Sequence, residues 1–173
     1  MVVTADFYNA KLSEALVQQL ADCAAFRTLV GAANATAAKS FIIEDDGGDP
    51  ETGAAGSQAS DNTAINATTA SFAVVRLTSA ERLDRGAAFG WQHEAEIDLI
   101  IRPTNGDTAP EAFRRARNVH GSIMEQFQAL FGAAATRIAY GLCKNSSIVK
   151  SDKIHALNGA FICRTPITTS DLP

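Results

Sequence analysis

Glu94, Glu96 and Asp98 stand at every second position of the stretch Phe89 to Arg102. Alternation at period two belongs to a β-strand, so the three carboxylates share one face, about 7 Å between neighbours. Grouped carboxylate oxygens can hold a divalent cation or perform acid–base work. A metal nuclease built this way wants a Lys close by, and no ExK pattern or paired Asp supplies the rest of that site. Alternating charge is also common on the solvated outer face of a sheet. In a symmetric ring, the same face lining a channel would repel phosphate and keep DNA sliding.

Arg114, Arg115 and Arg117 form a basic patch, and Arg82 and Arg85 flank a turn. Each set can bind phosphate, sit as a solvated face or pair across a subunit contact. The GxSxG, GxxxxGK[ST] and GxGxxG patterns do not occur, and nothing in the sequence implies a nucleotide or other cofactor. Cys23, Cys143 and Cys163 are scattered without a CxxC pair and read as small buried residues of a reducing compartment. His93, His120 and His155 make no metal pattern, and His120 falls inside an apolar stripe, where it reads as a hydrogen-bonded core residue.

These side chains need elements to hold them. The clearest is a helix over Pro110 to Phe131, in which Phe113, Ala116, His120, Ile123, Phe127 and Leu130 recur at spacings of three and four. Asp107 and Thr108 offer N-cap oxygens, Pro110 suits the first turn, and Gly132 can end the helix in a left-handed conformation. A wide apolar face of this kind requires a sheet to cover. Phe89 to Arg102 supplies one strand, with Trp91, His93, Ala95, Ile97, Leu99 and Ile101 on the face opposite the acids. Ala70 to Leu83 is its antiparallel partner across the turn residues Asp84, Arg85 and Gly86. Asp6 to Leu29 reads as a single amphipathic helix stopped by Gly31, and Ser40 to Ile43 as a short strand. A strand interrupted at Asn145, Ser146 and Ser147 follows the Pro110 helix. Ile154 to Ile167 closes the sheet, with Asn158-Gly159 either a hairpin turn or a bulge. The expected fold is α+β: an antiparallel or mixed sheet of about four to five strands with two main helices on one face.

At 173 residues with 46% hydrophobic content, the chain reads as one domain, residues 1–173, with a real core. It lacks both an apolar run long enough to span a bilayer and the basic-then-apolar layout of a signal peptide. Its net charge of −4 is uneven. Glu44, Asp45, Asp46, Asp49, Glu51 and Asp61 fall in a stretch from Ser40 to Val75 that contains no base; setting those six aside, 13 acids face 15 bases. The rest is near neutral, unlike the basic face of a general nucleic-acid binder. The Gly- and Asp-rich segment Glu44 to Ala64 reads as a long mobile loop, either a solvated insertion or an arm that orders on a partner.

The order of these pieces carries a resemblance. A helix with LSEALVQQL and FRTLVG comes first, then a strand and an elaborated loop. A hairpin with AVVRL and EAEIDLIIR follows, then the helix PEAFRRARNVHGSIMEQFQALFG and a pair of strands. This layout resembles the tail terminator, or tail completion, proteins of long-tailed bacteriophages and related tail-like particles. The resemblance implies an α+β virion protein without catalytic residues, made in the host cytoplasm. It implies six copies in a ring that caps the tail tube, meets the head-side connector and leaves an axial hole for DNA. In such a ring, Arg82, Arg85, Arg114, Arg115 and Arg117 read from their own chemistry as subunit or partner contacts, and Glu94, Glu96 and Asp98 as channel-facing acids. The residues alone leave two other functions standing: a small metal-dependent hydrolase built on those three acids, and an adaptor that binds a partner through the segment Glu44 to Ala64.

Overall fold

The computed structural model describes residues 5–44, 70–85, 88–132, 140–150 and 159–170. Along the chain they form α1 (Ala5–Asp22), α2 (Ala24–Val30), α3 (Ala35–Lys39), β1 (Ile42–Glu44), β2 (Phe72–Arg85) and β3 (Ala88–Ile101). Then come α4 (Ala109–Ala129), β4 (Tyr140–Cys143), β5 (Ser147–Lys150) and β6 (Phe161–Ser170). The six described strands make one mixed sheet in the order β1-β2-β3-β6-β4, with β5 also on β6. Only β1 and β2 pair in parallel among them. The fold is α+β, as the patterning predicts. No described helix is long and apolar enough to cross a membrane.

Period two on the strands decides which side the helices cover. Ala73 and Val75 of β2, Ala95, Ile97, Leu99 and Ile101 of β3, and Phe161, Cys163 and Ile167 of β6 are buried on one face. They form a single core with Leu16 and Leu20 of α1, Phe26 of α2, and Ile123 and Phe127 of α4. The opposite face is not wholly polar. Ile43, Phe72, Val74, Ile100 and Ala160 make a second buried cluster there.

α4 follows its expected bounds. The Glu111 carboxylate accepts from the Thr108 N–H at 2.9 Å and the Thr108 hydroxyl at 2.7 Å, fixing the first turn. Ala112, Ala116, His120, Ile123, Met124 and Phe127 are its buried stripe. Phe113, expected in that stripe, is exposed at the rim, edge-on to the Phe161 ring at 5.9 Å. Gly132 takes φ 75°, as a helix stop.

The expected single helix Asp6 to Leu29 is two helices. Cys23 is extended (φ −67°, ψ 117°), and the break is stabilised by partners that periodicity does not reveal. The Arg27 guanidinium donates to the last carbonyls of α1, Ala21 O at 3.2 Å and Asp22 O at 2.7 Å. The Gln126 side chain on α4 accepts the Ala25 N–H at the start of α2, at 3.0 Å. The small-residue piece after Gly31 is also structured, because the Asn34 side chain accepts from the Ala37 N–H at 2.9 Å and caps α3.

The last strand does not close the sheet at its edge. β6 lies inside, between β3 on one side and β4 and β5 on the other. Register explains why β4 and β5 are two strands: Cys143 faces Ile167 and Ser147 faces Arg164, so three residues span the two positions Thr165 and Pro166. The Lys144 N–H reaches Pro166 O at 2.8 Å, but Pro166 has no N–H to return on that side. The interruption expected at Asn145 to Ser147 therefore has its cause on the partner strand. Gly159 lies between β5 and β6, and β6 begins at Phe161. Asn158, and the expected loop beyond Glu44, lie outside the described residues.

One side chain seals an edge. Because Lys144 turns its N–H to β6, alternation turns the backbone of Gly141 and Cys143 outward. The Gln128 amide meets both, accepting from the Cys143 N–H at 2.7 Å and donating to Gly141 O at 2.9 Å.

Phe127 is fully buried, with its ring 5.3 Å from that of Phe131. Phe127→Ala should lower unfolding free energy by about 3–5 kcal/mol in a urea titration, the range for truncating a buried aromatic. A loss below about 1 kcal/mol would mean that α4 does not cover the sheet as described.

Candidate functional site: a paired-charge sheet face

Glu94, Glu96 and Asp98 project from β3 on the face away from the helices, as their spacing predicts. The register then brings bases to them from other strands. Arg76 of β2 is the Cα partner of Glu96, and Arg164 of β6 is the Cα partner of Asp98. Arg164 grips Asp98 with two hydrogen bonds, Nε to Oδ1 and Nη2 to Oδ2, both 2.9 Å, and its Nε lies 3.1 Å from Glu96 Oε1. Arg76 Nη1 bridges the two acids, 2.7 Å from Glu96 Oε1 and 2.9 Å from Asp98 Oδ2. Beyond them, Glu94 accepts from Lys144 Nζ at 2.8 Å, from the Thr168 hydroxyl at 3.0 Å and from Gln92 Nε2 at 3.3 Å.

This cluster thus joins three acids to three bases. Its acids lie deep and two of its bases lie high: the Asp98 side chain is 5% exposed and that of Glu96 17%, against 46% for Arg164 and 47% for Lys144. Hydrogen bonding to Asp98 raises the Arg164 guanidinium further above its ordinary value. For Glu94, burial pushes the carboxyl up, but Lys144 and Thr168 outweigh it and hold it below the usual range.

The sequence reading of these acids as lacking a basic partner is therefore corrected. The partners come from strands distant in sequence, and no local pattern on β3 contains them. A signal does exist: Arg76 is the one charge in the apolar run Phe72 to Leu77 and Arg164 the one charge in Phe161 to Ser170, both at positions of the outer face. Lys144 had no such signal, since it belongs to the break between β4 and β5.

Engaged by cations, these carboxylates do not offer the open set of oxygens that a hard divalent ion takes. Among the described residues, no group of three or more His, Cys, Asp or Glu is arranged to hold a metal. Cysteine chemistry is muted as well. Burial pushes the thiols of Cys23 and Cys163 up to about 12 and that of Cys143 to about 11, so the nucleophilic thiolate is scarce near neutral pH.

The basic patch is separate from the acids. Arg114, Arg115 and Arg117 are exposed on α4, in the layer on the other side of the sheet. Arg115 pairs with Asp107 at 2.6 Å, and Arg114 Nε donates to its own helix at Pro110 O, 3.3 Å. Arg82 and Arg85 belong to β2, with side chains outside the described set. His120 is a buried core residue, as its place in the stripe predicts. Its Nε2 is 2.8 Å from the Thr165 hydroxyl, which is 2.9 Å from the Ser146 hydroxyl at the β4–β5 break. Burial lowers the His120 pKa below its ordinary value.

Comparison with protein-family models and with curated protein sequences yields no match.

Two measurements test this electrostatic picture. Arg164→Met leaves Asp98 buried with one fewer partner and should cost about 1–3 kcal/mol, whereas Lys144→Met, at a more exposed pair, should cost under about 1 kcal/mol. Equal losses in urea titrations at pH 7 would contradict the depth difference between the two pairs. For His120, the folded pKa lies below the unfolded one, so the unfolded chain binds more protons and stability falls as pH drops below about 6.5. His120→Gln should flatten the stability profile just below that pH; an unchanged slope would assign the loss to other groups.

Proposed function

We propose that the protein is a structural component of a tail-like particle: a terminator that forms a ring on a tube end and joins it to a head-side connector. The observation that carries this reading is the paired-charge face. It is a broad sheet surface in which Glu94, Glu96 and Asp98 each already have a cation, an arrangement suited to contact rather than to proton transfer or metal-assisted hydrolysis. The order of an N-terminal helical region, a strand, a hairpin, a helix and closing strands supports it too, since it follows, with the first helix divided and the last strand pair become three strands, the layout of the terminator proteins that the sequence resembles. So does the mixed α+β sheet with its helices on one side.

The pairing also changes the expected relation to DNA. Beside a duplex, acids matched by guanidinium and ammonium groups drive phosphate away less strongly than bare carboxylates would. An axial hole lined in this way would pass DNA under weaker repulsion. A ring of six copies with cyclic symmetry uses head-to-tail contacts, for which the exposed Arg114 and Arg117 are candidates. The hydrolase alternative loses its footing with the three acids occupied.

Native mass spectrometry of the purified protein, alone and mixed with tail tubes, tests the proposal. A closed ring of about six copies should appear, if not in isolation then on tube ends, and tube elongation should stop. A protein that remains monomeric and leaves tube growth unchanged would refute it.

A further inference from the structure

Two exposed apolar side chains on the outer face are used by none of the above. Leu142 of β4 is 50% exposed and Val149 of β5 is 60% exposed. Register places both on the paired-charge face, Leu142 opposite Thr168 and Val149 opposite Ile162. Thr168 bonds to Glu94 on that face, and Ile162 packs with its second apolar cluster. Between the two ends come Arg164 and, at the break, Lys144, the two most exposed cations of the charge cluster. Read along β6, the strip runs apolar, cationic, cationic, apolar. Its ends are six residues apart on β6, about 20 Å at 3.3 Å per residue.

Neither cation is spent. Arg164 has five N–H donors, and its contacts with Asp98 and Glu96 run through Nε and Nη2 alone; Lys144 has three donors and gives one to Glu94. Nearly half of each side chain faces water. The acids below hold these cations in place, so an incoming carboxylate meets donors whose side chains are already ordered.

We infer that this strip is a docking surface for an extended acidic segment of another protein, with two carboxylates between two apolar anchors. An extended segment alternates at the same period as the β6 row, so its anchors can reach Val149 and Leu142 while its acids reach Arg164 and Lys144. The apolar ends favour a protein over a nucleic acid, whose phosphates would use the cations and leave both anchors wet. The inference goes beyond the ring reading and does not depend on it.

The test uses the whole protein and a synthetic peptide, Ser-Leu-Ser-Glu-Ser-Glu-Ser-Leu-Ser, whose leucines have the six-residue spacing of the strip. Titrated at low salt, it should shift the methyl resonances of Leu142 and Val149. Replacing both glutamates by Gln, or both leucines by Ser, should weaken binding at least tenfold. Leu142→Ser with Val149→Ser should have the same effect; both sites are exposed, and an unchanged amide spectrum elsewhere would verify the fold. Lys144→Gln should weaken only the glutamate-containing peptides. The inference is overturned if no methyl shift occurs, or if the leucine-free peptide binds as well. It is overturned too if a short DNA duplex shifts the same resonances with the same affinity. Failure of ring formation would leave this result untouched, and the reverse also holds.

Discussion

Asp98 sits between two guanidiniums, and much of the sheet's outer face follows from that contact. A carboxylate with 5% of its side chain exposed is costly to bury unless its oxygens are fully engaged. Arg76 and Arg164 engage it from both neighbouring strands, tying β2, β3 and β6 into one register. A slip by one residue on either side would send an arginine into the helix-covered core and leave Asp98 with one guanidinium instead of two, so the pair enforces by charge the register that apolar alternation sets on the other face. The price is that the acids cease to be available for chemistry. A face that keeps its strands aligned this way is a surface first.

The same economy of long-range polar contacts recurs where the chain departs from regular structure. The α1–α2 break, the start of α2 and the outer rim of β4 each leave backbone groups that helix or ladder would have satisfied. Arg27, Gln126 and Gln128 meet them respectively. Gln128 needs both ends of its amide, one to accept and one to donate, so a carboxylate of equal size would leave one strand group without its bond.

What was readable in the sequence divides along these lines. The stripe of α4, the period-two alternation of β3 and the hairpin with β2 are local patterns imposed by burial, and they set the α+β class. The acid row was equally plain, because Glu94, Glu96 and Asp98 are close in sequence. Their meaning was not, since Arg164 is 66 residues from Asp98 and only the register joins them. Likewise, the break at Cys23 depends on Gln126, 101 residues from Ala25, and the β4–β5 break on a proline in another strand. Periodicity reports which side of an element is buried and is silent about which distant group will meet it.

The interior position of β6 has a consequence for how the sheet comes into being. β6 is the last described strand to be made, yet it joins β3 to β4 and β5. As the chain emerges, β2 and β3 can close as a hairpin and α4 can lie over them, while one long edge of β3 still waits for its partner. Pairing β3 to β6 closes a loop of some sixty residues, the kind of non-local step that slows folding in proceeding from local to distant contacts. During that interval Asp98 has the guanidinium of Arg76 but not that of Arg164. A chain cut short before β6 would lose the middle of its sheet rather than an outlying strand, with β4 and β5 left nothing to pair with.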